Sequence, residues 1–351
     1  MRILITGGAG FIGQHLARRL APSHDLVALD SLNEQVHLDP ESARAAFPGE
    51  VVVGDVAEPR SWRDLPRPDA VIHLAAETGT GQSMYEQDRY TRVNVVGTRL
   101  AGEASVGWDV PLVAVSSRAV YGEGRHRTAS GTVGYGERPE GSIPLDSLES
   151  DPHHPVSVYG HTKSDGEAQL TEVAAPFVPV SIVRPQNVIG PGQALHNPYT
   201  GVLAAFLARL REGRPLQIYG DGSQTRDFVH VADLAALLAW LVENPAEVGS
   251  PRILNSGTGV RTSLNELARY AIAGSPLQDA PIEHVEVTRA GDIIDACADI
   301  SYGTSLGAPS PQWSSGDAVA NFIAWSWDKP GAASQAWDQA LDELDSRGLT
   351  S

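Results

Sequence analysis

Tyr159 and Lys163 stand four apart in the stretch YGHTK, so on a helix they project from one face, a turn from each other. A free phenol gives up its proton only near pH ~10. A neighbouring ammonium favours the phenolate, which would make Tyr159 a general base. A second stretch, SSRAVYG at 116–122, offers Ser117, a hydroxyl able to orient a substrate hydroxyl and share its proton. Between Ser117 and Tyr121 lie Arg118 and Ala119, a guanidinium too basic to deprotonate and a methyl group, so neither exchanges protons near neutral pH. Tyr121, in VYG, suits turn packing better than chemistry. Tyr-x-x-x-Lys alone also describes many solvated helix faces, and its meaning depends on the elements that position it.

Those elements begin at the N-terminus. The apolar run RILIT at 2–6 meets GGAGFIG at 7–13 and then QHLARRL, an order that predicts strand, glycine turn and helix. Gly7, Gly10 and Gly13 are three apart, and with Gly8 they also satisfy G-x-G-x-x-G. Glycines let backbone approach a pyrophosphate, whose charge the helix N-terminus receives. A second strand, DLVALD, ends on Asp30, where an acid binds ribose hydroxyls. No arginine follows it closely to receive a 2′-phosphate, so the expected cofactor is NAD rather than NADP. A third strand, EVVVGDV, ends on Asp55 and Val56, within reach of the adenine. AVIHLAA at 70–76 lines the crevice with Leu74, Ala75 and Ala76, while His73 reads as a packed strand residue. PLVAVSS then delivers Ser116 and Ser117 to the carboxyl edge of the sheet, where ligands bind in such folds. A nicotinamide cation at that edge would add to the pull on the Tyr159 proton.

Composition narrows the class. The 351 residues suit one large or two moderate domains, and no apolar run is long enough to span a bilayer. MRILITGGAG enters a strand at once and does not read as a signal peptide. The lone Cys297 rules out an intramolecular disulfide framework and fits a cytoplasmic protein. With 43 acidic residues against 26 Lys and Arg, the surface should repel nucleic acid and anionic membranes. An anionic substrate is still possible where a few arginines gather in a cleft. His126, His153 and His154 provide no complete ligand set, so no metal site is expected.

The sequence resembles the extended short-chain dehydrogenase/reductase superfamily, and within it the nucleotide-sugar epimerases and dehydratases. The resemblance rests on TGGAGFIG, HLAA at 73–76, NVVGT at 94–98, SSRAVYG, YGHTK, RPQNVIGPG at 184–192, GDGSQTRDFVHVADLA at 220–235, NSGTG at 255–259 and RAGD at 289–292. It implies a Rossmann-type doubly wound parallel sheet with a smaller mixed α/β substrate-binding domain. Residues 1–184 would form the NAD domain, with an insertion at 123–157 near the site's mouth, in the position of a lid. Residues 185–329 would form the nucleotide-sugar domain, with 226–256 partly returning to the first. Residues 330–351 would add a helix with Trp337, Leu341 and Leu344 on one face.

By the same resemblance Gly7, Gly10, Phe11, Ile12, Gly13, Asp30, Asp55, Val56, Leu74, Ala75, Ala76, Asn94, Ser116, Tyr159, Lys163 and Pro185 line the NAD site. Ser117, Tyr159 and Lys163 form the catalytic set. Ser117, Asn187, Arg226, Arg289 and Asp292 hold the nucleotide diphosphate sugar. A salt bridge from Arg226 to Asp227 is the alternative role for that arginine. Helices 85–107 and 157–174 would pair with their copies in a homodimer.

Family members oxidise the sugar at C4. The dehydratases carry Asp-Glu after the catalytic Ser/Thr, and xylose-forming decarboxylases carry a Glu in the same stretch. Arg118 and Ala119 occupy those positions here, which points to a 4-epimerase returning hydride to the opposite face. SSRAVYGEG and NVIGPGQALHNPYTG are most similar to dTDP-L-rhamnose 4-epimerases. UDP-glucose and UDP-glucuronate 4-epimerases stay open, as do a 4-keto-sugar reductase and a dehydratase.

Overall fold

Alternating side chains on short apolar strands build a sheet covered on both faces. The architecture is taken from a computed structural model that describes residues 1–197, 201–277, 279–286 and 292–348, without the side chains of Ala340, Leu341 and Leu344. Seven strands form the main sheet: β1 (Arg2–Thr6), β2 (Asp25–Asp30), β3 (Glu50–Val53), β4 (Ala70–His73), β5 (Leu112–Val115), β6 (Val180–Pro185) and β7 (Arg252–Ser256). Every pairing is parallel, in the order β7-β6-β5-β4-β1-β2-β3. The order reverses next to β1, and a crevice opens there at the carboxyl ends of the strands.

The period of two in each strand divides the core. Ile3, Ile5, Ala28, Ile72 and Val113 join one cluster with Leu16 and Leu20 of α1 (Phe11–Leu20). Leu4, Val27, Leu29, Val71 and Leu112 join another with Ala101 of α2 (Thr98–Trp108) and Leu170 of α3 (Val158–Val173). A third cluster gathers Phe206 and Leu207 of α4 (Val202–Arg211), Leu267 of α6 (Leu264–Ala273) and Phe322 of α7 (Ser315–Ser326). The chain crosses back before that part is complete. α5 (Val231–Glu243) buries Leu234 and Leu238 against the α1 side of the sheet, and β7 extends the sheet's edge.

Two expected elements take a different form. The helix expected over 85–107 is broken by a π-helical segment at Arg92–Gly97, a wide turn that directs Asn94 and Gly97 inward. The segment after 123 forms a small antiparallel sheet, Arg125–Arg127 between Val133–Tyr135 and Ile143–Pro144. It does not stand free as a flap. Ser147 bridges to Ala298, Asp146 pairs with Arg261, and Glu149 accepts the Asn255 N–H at 2.9 Å. At the C-terminus α8 (Gln335–Ser346) is anchored to α4 by Asp338, which pairs with Arg209 at 2.6 Å. Of its expected apolar face, Trp337 is described, while the Leu341 and Leu344 side chains lie outside the described residues. Among the described residues no helix is long and apolar enough to cross a membrane.

Candidate active site

The crevice beside β1 is a cleft of about 890 Å³. Its floor is the β1–α1 turn. Gly7 has φ +66°, and a Cβ there would meet the Ala75 nitrogen at 2.9 Å. A Cβ on Gly13 would lie 2.5 Å from the Gly7 and Gly8 carbonyl oxygens. α1 starts without a side-chain cap and has no acid in its first turn, so its N-terminal N–H groups remain available to an anion. This is a cradle that side chains would fill. Asp30 stands at the end of β2, accepting the Ala9 N–H at 3.0 Å and the Leu32 N–H at 2.9 Å. Phe11, Ile12, Val56, Leu74, Ala75 and Ala76 complete the lining on that side. A dinucleotide fits this set of groups: bare backbone for its pyrophosphate, a strand-end carboxylate for a ribose, and small side chains for a flat ring.

Two expected residues differ in detail. Asp55 lines the cleft, but Arg92 holds its carboxylate at 2.6 Å and the Ala57 N–H donates to it. Asn94 is fully buried behind the wall. Its amide donates to the Glu77 carbonyl and to Thr162 Oγ1, both at 3.0 Å, and its Oδ1 accepts the Glu77 N–H. The π turn puts it there, where it ties the 74–77 wall to α3.

At the other end of the cleft Ser116, Ser117, Tyr159, Lys163, Pro185 and Asn187 come together. Ser157 caps α3 by accepting the Gly160 N–H, which fixes the first turn that carries Tyr159. Ser83 braces the same turn by accepting the Tyr159 N–H at 3.0 Å. Burial pushes the Tyr159 phenol up from its ordinary value, while Ser117 and the charge of Arg118 draw it back down. Burial also lowers Lys163, to about 8. Its ammonium donates to the Val115 carbonyl at 3.0 Å. His73 is tied between Thr6 and Thr98 at 2.8 and 3.1 Å, and burial followed by the Lys163 charge takes it down to about 3. It stays neutral, a strand residue beneath the site.

The substrate-side residues divide differently. Asn187 lines the cleft and accepts from Arg118 Nε at 3.3 Å. Arg226 does not bond Asp227. It pairs with Asp292 at 2.6 Å and donates to the Ile293 carbonyl at 2.6 Å, beyond the lining of the cleft. Asp227 instead holds the turn at 258–259 by accepting the Thr258 and Gly259 N–H groups. Arg289 lies outside the described residues. Sequence reading passed over His37, which is 3.8 Å from Asp30, and Gln186 and Asn197, which line the cleft. RPQNV and NPYTG carry the last two, but nothing local in those stretches distinguishes a lining residue. Among the described residues no group of three or more His, Cys, Asp and Glu could hold a metal ion.

The sequence pattern of the NAD dependent epimerase/dehydratase family matches residues 3–257. A dTDP-L-rhamnose 4-epimerase of Burkholderia thailandensis is 38% identical over 92% of this chain and 94% of its own. A UDP-glucose 4-epimerase of Mycolicibacterium smegmatis is 35% identical over 78% and 82%. Among solved structures, the UDP-glucose 4-epimerase of Thermotoga maritima with UDP-glucose superposes with a TM-score of 0.77 at 26% identity, covering 93% of this chain and 98% of that one. The UDP-glucuronic acid 4-epimerase of Bacillus cereus, with UDP-glucuronic acid and NAD, gives 0.74 at 25% identity, covering 93% and 98%.

Proposed function

The chain belongs to the NAD-dependent epimerase/dehydratase family, and from that premise we propose that it is a nucleotide-sugar 4-epimerase whose substrate is dTDP-L-rhamnose, with dTDP-6-deoxy-L-talose as product. The observation that carries this reading is the grouping of Ser117, Tyr159 and Lys163 at one wall of the cleft, with Arg118 and Ala119 in the adjoining turn. The relative at 38% identity supports the choice of sugar. UDP-glucose and UDP-glucuronate are the competing substrates, supported by the other relatives.

NAD, when bound in the cleft, would supply the hydride acceptor and donor for chemistry at C4. The chain's residues hold the cofactor and handle the proton. Gly7, Gly10 and Gly13 give backbone access to the pyrophosphate, Asp30 meets a ribose, and the 74–76 wall faces the ring. Ser117 positions the C4 hydroxyl, and Tyr159 Oη takes its proton on oxidation and gives it back on reduction. Microscopic reversibility lets one phenol serve both directions. Lys163 keeps positive charge one turn below the phenol. Asn187 presents an amide to the sugar or its diphosphate. By the resemblance of the sequence, Arg226, Asp292 and Arg289 would hold the diphosphate. The reading further makes the protein cytoplasmic, in keeping with its single cysteine, and a homodimer built on the helical segments 85–107 and 157–174, as the resemblance of the sequence implies.

The test is a product assay on purified protein without added NAD(P)H. dTDP-L-rhamnose, UDP-glucose, UDP-galactose and UDP-glucuronate are supplied separately, and sugar stereochemistry is read by NMR. A C4 epimer with no change in free cofactor is expected. Loss of water or carbon dioxide, or a demand for added cofactor, would favour the dehydratase or 4-keto-sugar reductase reading.

A further inference from the structure

We propose that Arg118 is a positioning residue for this reaction: a guanidinium without an ion-pair partner among the described residues, fixed beside Ser117, that offers Tyr159 the positive charge the phenol needs when it gives up its proton. Its turn packs so closely on the first turn of α3 that a Cβ on Gly160 would lie 2.7 Å from the Ala119 carbonyl oxygen. The role of Tyr159 as the base is taken from the reading above. The inference added here is that its electrostatic partner is Arg118 as well as Lys163.

The local chain fixes Arg118 in place. It opens a single 3-10 turn, Arg118–Tyr121, whose preceding residue Ser117 accepts the Ala119 N–H at 3.2 Å. Its Nε donates to Asn187 Oδ1, the one hydrogen bond from its side chain among the described residues. That bond also orients Asn187, because an Oδ1 engaged by Arg118 leaves the Nδ2 donors for the cleft. No carboxylate among the described residues lies within salt-bridge distance of Arg118. The neighbouring arginines contrast with it: Arg184 has Glu167 at 2.7 Å, Arg226 has Asp292 at 2.6 Å, and Arg261 has Asp295 at 3.0 Å. A half-buried charge without a counter-ion is costly in a protein interior, and an ionising phenol relieves that cost.

The surroundings of Tyr159 favour the same partner. From the segment before the π turn, Tyr90 meets its ring edge-on at 6.4 Å, with Glu77, Glu86 and Arg89 paired to one another behind it. From its own helix comes Lys163, whose ammonium is drawn to the Val115 carbonyl and towards Glu167. From the C-terminal part come Arg226 and Asp292, already mutually neutralised. From the 118–123 turn come Arg118 and, further away, Glu123, which accepts the Ile294 N–H and has one buried carboxylate oxygen without a protein partner. Burial and the nearby Arg226 lower Arg118 to about 10, so it remains charged at neutrality.

The test titrates Tyr159 directly in the NAD-loaded protein, by phenolate absorbance in difference against a matched Tyr159→Phe variant. Arg118→Gln should raise the Tyr159 pKa by about one unit, about a tenfold smaller phenolate fraction near neutrality. The acidic limb of kcat/KM should move by the same amount, and Arg118→Lys should restore most of it. Glu123→Gln removes the opposing charge and should move the phenol a smaller distance the other way. Should Arg118→Gln fail to fold, Glu123→Gln and Arg118→Lys carry the test. A Tyr159 titration unchanged in Arg118→Gln, or an upward shift in Glu123→Gln, overturns the proposal. The spectroscopic titration needs no turnover, so failure of the epimerase reading would appear separately, as absence of product with the phenol shift intact.

Discussion

A buried tyrosine, Tyr121, ends the 118–121 turn and a half-buried one, Tyr159, stands on the neighbouring helix α3, and their surroundings differ in what is left unfilled. Tyr121 has its hydroxyl fully engaged, donating to Asn255 Oδ1 and accepting from Arg184 Nη1, both at 2.8 Å. Arg184 is itself held by Glu167 and meets His153 Nε2 at 2.6 Å, so the whole cluster is closed on protein partners. Burial pushes the Tyr121 phenol far up, against the pull of Arg184. Tyr159 is half-buried against Tyr90 and Ser117 but lines the cleft, and among the described residues no carboxylate or amide is committed to it. A satisfied network braces β5, β6, β7 and α3 against one another. A hydroxyl at the cleft wall that has Ser117 as its partner keeps a side open to a ligand.

The comparison breaks most visibly at the phenols themselves. Tyr159→Phe should lower kcat about 10²–10⁴-fold, the usual contribution of a positioned acid-base group, with NAD content and melting temperature retained. Steady-state rates beside a thermal melt check both halves of that statement. In the braced region Arg184→Ala leaves the Glu167 carboxylate buried without its partner and should cost about 3–5 kcal/mol of stability, read by denaturant unfolding. Tyr121→Phe is milder, about 1–3 kcal/mol, because Asn255 and Arg184 each lose one bond. Its kcat should stay within a few-fold of the parent. If Tyr121→Phe instead matched Tyr159→Phe in activity, the division between bracing and reacting tyrosines would fail.

The smallest effect separates the regions by pH. Lys163 is depressed from 10.5 to about 8 in the folded protein, by burial. Between those values the unfolded chain binds the proton and the folded chain does not, so this group makes stability rise with pH there. Activity should fall over the same range as the ammonium next to Tyr159 loses its charge. Rate and unfolding midpoint measured together from pH 7 to pH 10 should therefore diverge. A parallel decline would assign the titration to some other group.

What could be read from the chain alone was local. The β1–α1 glycines, Asp30 at a strand end, and Tyr159 one helical turn from Lys163 each depend on residues a few positions apart, where backbone geometry is set by short-range sterics. Five of the seven parallel strands, β1 to β5, were likewise legible as short apolar runs. The partners that close or open charge came from tertiary structure. Asp292 reaches Arg226 across 66 residues, Asn187 reaches Arg118 across 69, and Thr162 reaches Asn94 across 68. Such pairings leave no periodic trace in sequence. Asp227 sits next to Arg226 and yet bonds elsewhere, to the Thr258 N–H 31 residues on. The residue types at 118 and 119 excluded an acid from the sequence alone. That Arg118 reaches Asn187 and no carboxylate among the described residues was decided by tertiary packing, since burial and the lack of a counter-ion exist only once distant segments meet.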